Sequence, residues 1–164
     1  EEGKVFRARP QEGALLDTWS LDAGEVRAIA LDELVGSAWV VTRTAAGGSL
    51  FYLVPGQAAD PPVLTGLLDP ADLAADSSRG VVWVAERGTP GAGAGRLLRV
   101  DRSGALLTTT AGLEPYGLEI EPKNGSCWVA DLRSKRLLKF AADGHLVSTS
   151  MRLAAPYAVR VDAP

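Results

Sequence analysis

Apolar residues along this chain fall in short runs separated by polar turns. Between positions 115 and 142 three such runs, Gly117–Ile120, Ser126–Asp131 and Arg136–Phe140, are divided by the polar turns Glu121–Gly125 and Leu132–Lys135. A second edition of the same order occupies 70–101, with Val81–Glu86 and Arg96–Val100 as its longest apolar runs. Leu118 and Ile120 alternate with Glu119, and Val159 and Val161 with Arg160, the period of a strand with one face in and one face out. No window shows the spacing of an amphipathic helix. The pattern predicts an all-β chain.

The runs repeat at a fixed interval. Trp39, Trp83 and Trp128 stand at one equivalent place in three successive units, 44 and 45 residues apart. Gly13, Gly56, Gly104 and Gly144 mark a recurrent tight turn, where a left-handed backbone is met by glycine without steric penalty. Full units are read at 25–69, 70–114 and 115–155. Residues 1–24 read as the trailing strands of a preceding unit. Residues 156–164 read as the first strand of a following one, since Pro156–Asp162 restates Pro115–Glu121. A period of this length built from short strands predicts a β-propeller of four-stranded antiparallel blades, here about three complete blades with partial blades at both ends. Both ends would leave strand edges unpaired, so further blades or a second chain are expected to complete the ring. The tryptophans are expected to pack between blades. The run Gly88–Gly95, GTPGAGAG, lengthens the second unit between its second and third strands and reads as a flexible surface loop, either a tolerated insertion or a flap beside a binding surface.

Composition adds limits rather than direction. The 164 residues are 46% hydrophobic and 23% charged, a globular balance, and 17 basic against 20 acidic side chains give a net charge of −3. That charge argues against a generic polyanion-binding surface. No apolar run approaches the roughly 20 residues that span a bilayer. A single cysteine, Cys127, supports neither an internal disulfide nor a zinc cluster and reads as a buried apolar residue beside Trp128.

The elements P-x-G-L-x-I, G-x-x-W-V-A-D/E, R-L-L-K/R-F/V and D-G-x-L/V resemble NHL repeats and the streptogramin-lyase-like propellers. The match is fullest over Pro115–Val147, good over Pro70–Leu107 and poor in the first unit, where Glu25-Val26-Arg27 replaces the Pro-Tyr pair. The resemblance implies blades around a central channel with the first strand of each innermost. It also implies that the loops into first strands and those between second and third strands share one face, the mouth, where ligand or partner sites usually lie. Carried onto this sequence, the mouth would hold Arg27, Tyr116 and Tyr157, with Thr42, Glu86 and Asp131 at the ends of second strands and Arg43, Arg87 and Arg133 close behind.

Several chemistries are weighed on these residues. The lone histidine, His145, falls in a third-to-fourth strand turn, away from the mouth and without a catalytic partner. Glu86, Asp131 and Asn124 are the oxygen ligands on offer for a divalent cation such as calcium, as in lactonase-like propellers, but Asn124 lies in a Lys-Asn-Gly turn that a left-handed backbone explains more simply. No other cofactor is expected. Gly88–Gly95 lacks the Lys-Ser/Thr of a phosphate-binding loop, and four mouth arginines against two carboxylates make the mouth only mildly positive on an acidic chain, short of the strongly basic face that nucleic acid requires. The expectation is a non-catalytic scaffold or recognition module that binds a protein, peptide or glycan at the mouth. The alternative is a lyase- or lactonase-like enzyme whose metal-dependent site is completed by further blades. Export is common among bacterial proteins of similar pattern, so an extracytoplasmic location, periplasmic or secreted, is the expectation.

Overall fold

A computed structural model describes residues 3–9, 12–21, 24–88 and 95–162. Most of Gly88–Gly95, and with it the expected flap, lies outside the described residues. The rest form fourteen strands and no helix. β1 (Gly3–Ala8) and β2 (Leu15–Leu21) make a two-stranded hairpin. β3 (Glu25–Asp32), β4 (Ser37–Thr44), β5 (Gly47–Leu53) and β6 (Leu64–Leu67) form the first four-stranded sheet, in chain order. β7 (Pro70–Asp76), β8 (Val81–Glu86), β9 (Gly95–Asp101) and β10 (Leu106–Leu113) form the second. β11 (Pro115–Ile120), β12 (Cys127–Asp131), β13 (Arg136–Phe140) and β14 (Leu146–Thr149) form the third. All these ladders are antiparallel. Pro156–Asp162 forms no ladder, although it repeats β11 in sequence. It lies against β11 instead: a side chain at Gly117 would strike the Ala158 Cα and the Tyr157 carbonyl, each 2.8 Å away.

The middle of each second strand is apolar, Ala38–Val41, Val81–Ala85 and Cys127–Ala130, and in the first two blades it is buried against sheets on both sides. Strand alternation sends Val82 and Val84 of β8 back toward the first blade, where they join Trp39, Val41 and Leu50, and sends Trp83 and Ala85 forward to Leu118, Val129 and Phe140 of the third. Val5, Trp19 and Leu21 of the hairpin pack against Val40, Phe51 and Leu53 in the same way, so β1 and β2 take the third- and fourth-strand places of a preceding blade. Trp39 and Trp83 are fully buried, as inter-blade packing requires. Trp128, their equivalent, is only partly covered. A cross-strand partner sits beside each tryptophan: Tyr52 beside Trp39 at 4.5 Å between ring centroids, Arg99 beside Trp83, and Lys139 with its ammonium 5.1 Å from the Trp128 ring. Cys127 is buried in the second inter-blade core, and burial pushes its thiol well above the usual range, so it stays neutral and apolar.

The third-to-fourth strand turns lock neighbouring blades together. The Gly56 amide donates to Asp17 of β2 at 2.9 Å, Gly144 presses on Thr108 of β10, and Gly104 presses on the carbonyl of Val63 ahead of β6. Gly104 has φ +86 and a Cβ there would overlap the Val63 oxygen. Gly104→Ala is therefore expected to destabilise by well over the ~1 kcal/mol of an ordinary left-handed glycine replacement, read as a fall in the urea midpoint. Gly56→Ala, with nothing within 4 Å of its Cβ, is expected to show the ordinary value. A second tie joins the same blades: Arg102, beside the Gly104 turn, reaches the buried Asp32 of the first blade at 2.6 Å, and the Tyr52 hydroxyl donates to that carboxylate at 2.9 Å.

Candidate functional site

A bulge at the start of each innermost strand builds the mouth. The register of β3 with β4 slips between Val26 and Ala28, that of β7 with β8 between Pro70 and Asp72, and that of β11 with β12 between Pro115 and Gly117. The extra residues are Arg27, Ala71 and Tyr116. A bulge turns one side chain out of the ladder and re-aims it at the rim. Tyr157 holds the corresponding place after Pro156. An arginine, an alanine and a tyrosine thus occupy one bulge position in three successive blades, and Tyr157 repeats that position in sequence without a ladder.

These residues are linked across blades. Arg43, near the end of β4, and Arg87, just past β8, converge on one carboxylate: Arg43 Nε lies 3.1 Å from Asp69 Oδ1 and Arg87 Nη2 lies 2.8 Å from Asp69 Oδ2. The Arg87 guanidinium stands 5.0 Å from the centroid of the Tyr116 ring, and Tyr116 meets Tyr157 edge-on with centroids 5.1 Å apart. Burial works against the Arg87 charge, but Asp69 and Tyr116 more than offset it and its pKa is raised. The result is one ribbon, Arg43–Asp69–Arg87–Tyr116–Tyr157, from the first blade to the segment beyond the third. Arg27 pairs with Glu25 at 3.1 Å on the same rim, and Arg133 stands exposed in the β12–β13 turn. Beside Arg43 a hollow of about 240 Å³ is walled by Thr44–Gly47 and Gly66–Leu68.

Glu86 and Asp131 have a different place from the one expected. Both are buried, and their oxygens are engaged within the protein. Glu86 Oε1 accepts the Leu68 amide at 2.7 Å and its Oε2 pairs with Arg96 at 2.6 Å. Asp131 Oδ1 accepts the Glu114 amide at 2.7 Å and its Oδ2 accepts Ser134 N at 3.0 Å. Each clasps the loop that leads into its own blade, the longer glutamate reaching one residue further back. They underpin the mouth rather than line it, because a carboxylate at the last residue of a second strand faces free amides of that loop. Thr42, the third equivalent, is buried and donates to the Ser49 carbonyl at 3.4 Å.

The cation set does not assemble. Asn124 sits in the β11–β12 turn, at the opposite end of the blade from Asp131, and its side-chain oxygen accepts Ser126 N at 2.8 Å. The left-handed residue of that turn is Gly125, φ +73, and not Asn124. Among the described residues no three His, Cys, Asp or Glu side chains converge. His145 is exposed in the β13–β14 turn and contacts Asp143.

The innermost strands also line a groove of about 680 Å³, with Ile29 and Leu31 on one wall, Asp72 in the centre and Glu119 and Arg160 on the other wall. Asp72 bridges blades: its Oδ2 accepts the Leu118 amide at 2.8 Å, where the next blade instead brings backbone close to Gly117. Desolvation raises the Asp72 pKa despite that amide and Leu73 N. An acid whose pKa is higher folded than unfolded supports folding fully below its unfolded pKa and loses that contribution as pH rises through the folded pKa. Asp72→Asn is therefore expected to gain stability relative to the parent as pH is raised from 4 toward neutrality, checked by paired denaturation curves across that range.

Sequence reasoning missed Asp69, the hub of the ribbon. The signal was present, since Asp69 precedes Pro70 as Glu114 precedes Pro115, but contacts between blades are not visible in a repeat alignment.

No protein-family model matches the chain, and no curated protein matches it in sequence. Solved structures do match. A nidogen–laminin complex superposes with TM-score 0.66 and 15% identity over 96% of this chain and 62% of that one. Streptogramin B lyase does so with TM-score 0.63 and 20% identity over 95% of this chain and 46% of the lyase. Hydrazine synthase of Kuenenia stuttgartiensis gives TM-score 0.75 at 8% identity over 94% of this chain and 58% of that one. The chain thus spans about half to three fifths of the structures it resembles. Its sheets and their stacking define an arc of a β-propeller with four-stranded antiparallel blades. Within that class its fold is streptogramin-lyase-like.

Proposed function

We propose that this propeller is a recognition module that holds a protein or peptide partner at the mouth. The observation that carries the reading is the ribbon Arg43–Asp69–Arg87–Tyr116–Tyr157, built by bulges and strand ends of successive blades. Tyrosine and arginine dominate the energetics of protein interfaces, because each offers a large contact area with a directional polar end. Backbone-anchored Glu86 and Asp131 hold the loops beneath it, which keeps the surface preorganised. The same fold occurs in a nidogen–laminin complex, an assembly between proteins. Further blades, in the same or a second polypeptide, belong against the Trp128 face, where Trp39 and Trp83 have their successors. An extracytoplasmic location is part of the same proposal and rests on the resemblance of the repeats; fractionation of producing cells checks it.

The test is a peptide-display and glycan-array screen of the purified chain, repeated with the variant Arg43→Ala/Arg87→Ala/Tyr116→Ala/Tyr157→Ala after its fold is verified by circular dichroism. Selected binders are expected to lose at least about tenfold in affinity to the variant. Binders that hold the variant as tightly as the parent would place recognition elsewhere.

A further inference from the structure

Resting on the mouth reading, we infer that the partner presents an acidic side chain next to an apolar one in an extended peptide segment, the carboxylate meeting Arg43 and the apolar group seated in the adjoining hollow.

The charge count at the hub carries the first half. Two guanidiniums share one carboxylate: Arg43 contacts Asp69 through Nε and Arg87 through Nη2. A guanidinium has five N–H donors in a planar fork, and its strongest partner is a second oxygen pair. The Arg43 side chain is 44% exposed against 14% for Asp69, so the shared acid is sequestered while the cation still faces solvent. At Arg87 the buried Nε makes no hydrogen bond, and neither does Asp69 Oδ1. The hub therefore carries one positive charge in excess, and Arg43, exposed and joined to Asp69 through Nε, is the guanidinium whose remaining donors can meet a bidentate carboxylate.

Shape carries the second half. Ala45, Ala46, Gly47 and Gly66 leave the hollow beside Arg43 shallow and without protruding side chains, and Leu68, 53% exposed, gives it an apolar rim. The space of about 240 Å³ has room for one aliphatic side chain. Asp69 and Glu25 stand in the same rim, and they would repel a run of phosphates while leaving room for a single acid. A neutral glycan would leave the excess charge uncompensated. An acidic–apolar peptide satisfies both requirements together.

The probe is the blocked heptapeptide Gly-Glu-Leu-Gly-Glu-Leu-Gly, compared by titration calorimetry with its Gln-for-Glu counterpart and with a twelve-nucleotide single-stranded RNA. The Glu peptide is expected to bind at least about tenfold more tightly than the Gln peptide, with the advantage falling as salt is raised. Arg43→Gln, at an exposed position that keeps its fold, is expected to remove that advantage, and Tyr157→Ala to weaken both peptides. Equal binding of Glu and Gln peptides with sensitivity to Tyr157→Ala overturns the acidic preference and leaves the mouth reading standing. Binding of the Glu peptide that ignores both Arg43→Gln and Tyr157→Ala overturns the mouth reading as well. Tighter binding of the RNA, or no peptide binding at millimolar concentration, also overturns the inference.

Discussion

Trp83→Ala is expected to lower the free energy of unfolding by about 3–5 kcal/mol, while Trp128→Ala at the equivalent place lowers it by roughly 1–2 kcal/mol. Trp83 is buried between Ala85, Leu97, Leu118 and Phe140, with the Phe140 ring centroid 6.2 Å away, so truncation opens a cavity that two rigid sheets close only in part. Against a total of about 5–15 kcal/mol for an ordinary domain, that loss is severe. Trp128 faces outward over Lys139 and loses only partial burial and the contact with the ammonium. Urea midpoints at constant slope give both numbers. Equal losses would mean that the Trp128 face is as well covered in solution as the Trp83 face, which is the state expected once another blade packs on it.

Glu86→Ala is expected to destabilise by about 3 kcal/mol, the low end of what removing one partner of a buried ion pair does. The carboxylate is fully buried; Arg96, 32% exposed, recovers some water when its partner goes, but the Leu68 amide does not. Asp131→Ala, whose oxygens accept the Glu114 and Ser134 amides, is expected to lose about 1–3 kcal/mol. Glu86→Gln should recover part of the loss, because an amide oxygen still accepts from Leu68. Loosening that loop also frees Asp69, the residue that follows Leu68, so Glu86→Ala should weaken mouth binding beyond its effect on the fraction folded. Retention of full stability in Glu86→Ala would remove the clasp from the account.

Much of the fold is legible in the sequence because each repeat carries its own local instructions. The runs around Trp39, Trp83 and Trp128 mark second strands, and Gly56, Gly104 and Gly144 mark the turns where a side chain is strained or obstructed. What the sequence conceals is set between repeats. Whether Glu86 and Asp131 face a ligand or the backbone depends on which amides the preceding loop leaves free, and one extra methylene decides which residue is held. Asp69 looks like an ordinary residue before proline until two arginines from different blades meet on it. Arg27 and Tyr116 are placed at the rim by repeat alignment, but the bulge that turns them outward is a register slip visible only in the ladder. Pro156–Asp162 repeats β11 residue by residue yet forms no ladder, since a strand needs a hydrogen-bonding neighbour as well as a pattern.

Recognition is expected on the face where the bulges and second-strand ends meet. Hydrogen exchange of the chain with and without the Glu-containing heptapeptide tests it most directly, because amide protection reports position. The account predicts added protection at 25–28, 43–48, 66–72, 86–88, 114–117 and 156–158, and none at the opposite turns, 33–36, 77–80, 122–125 and 142–145. Protection concentrated on those opposite turns would contradict it.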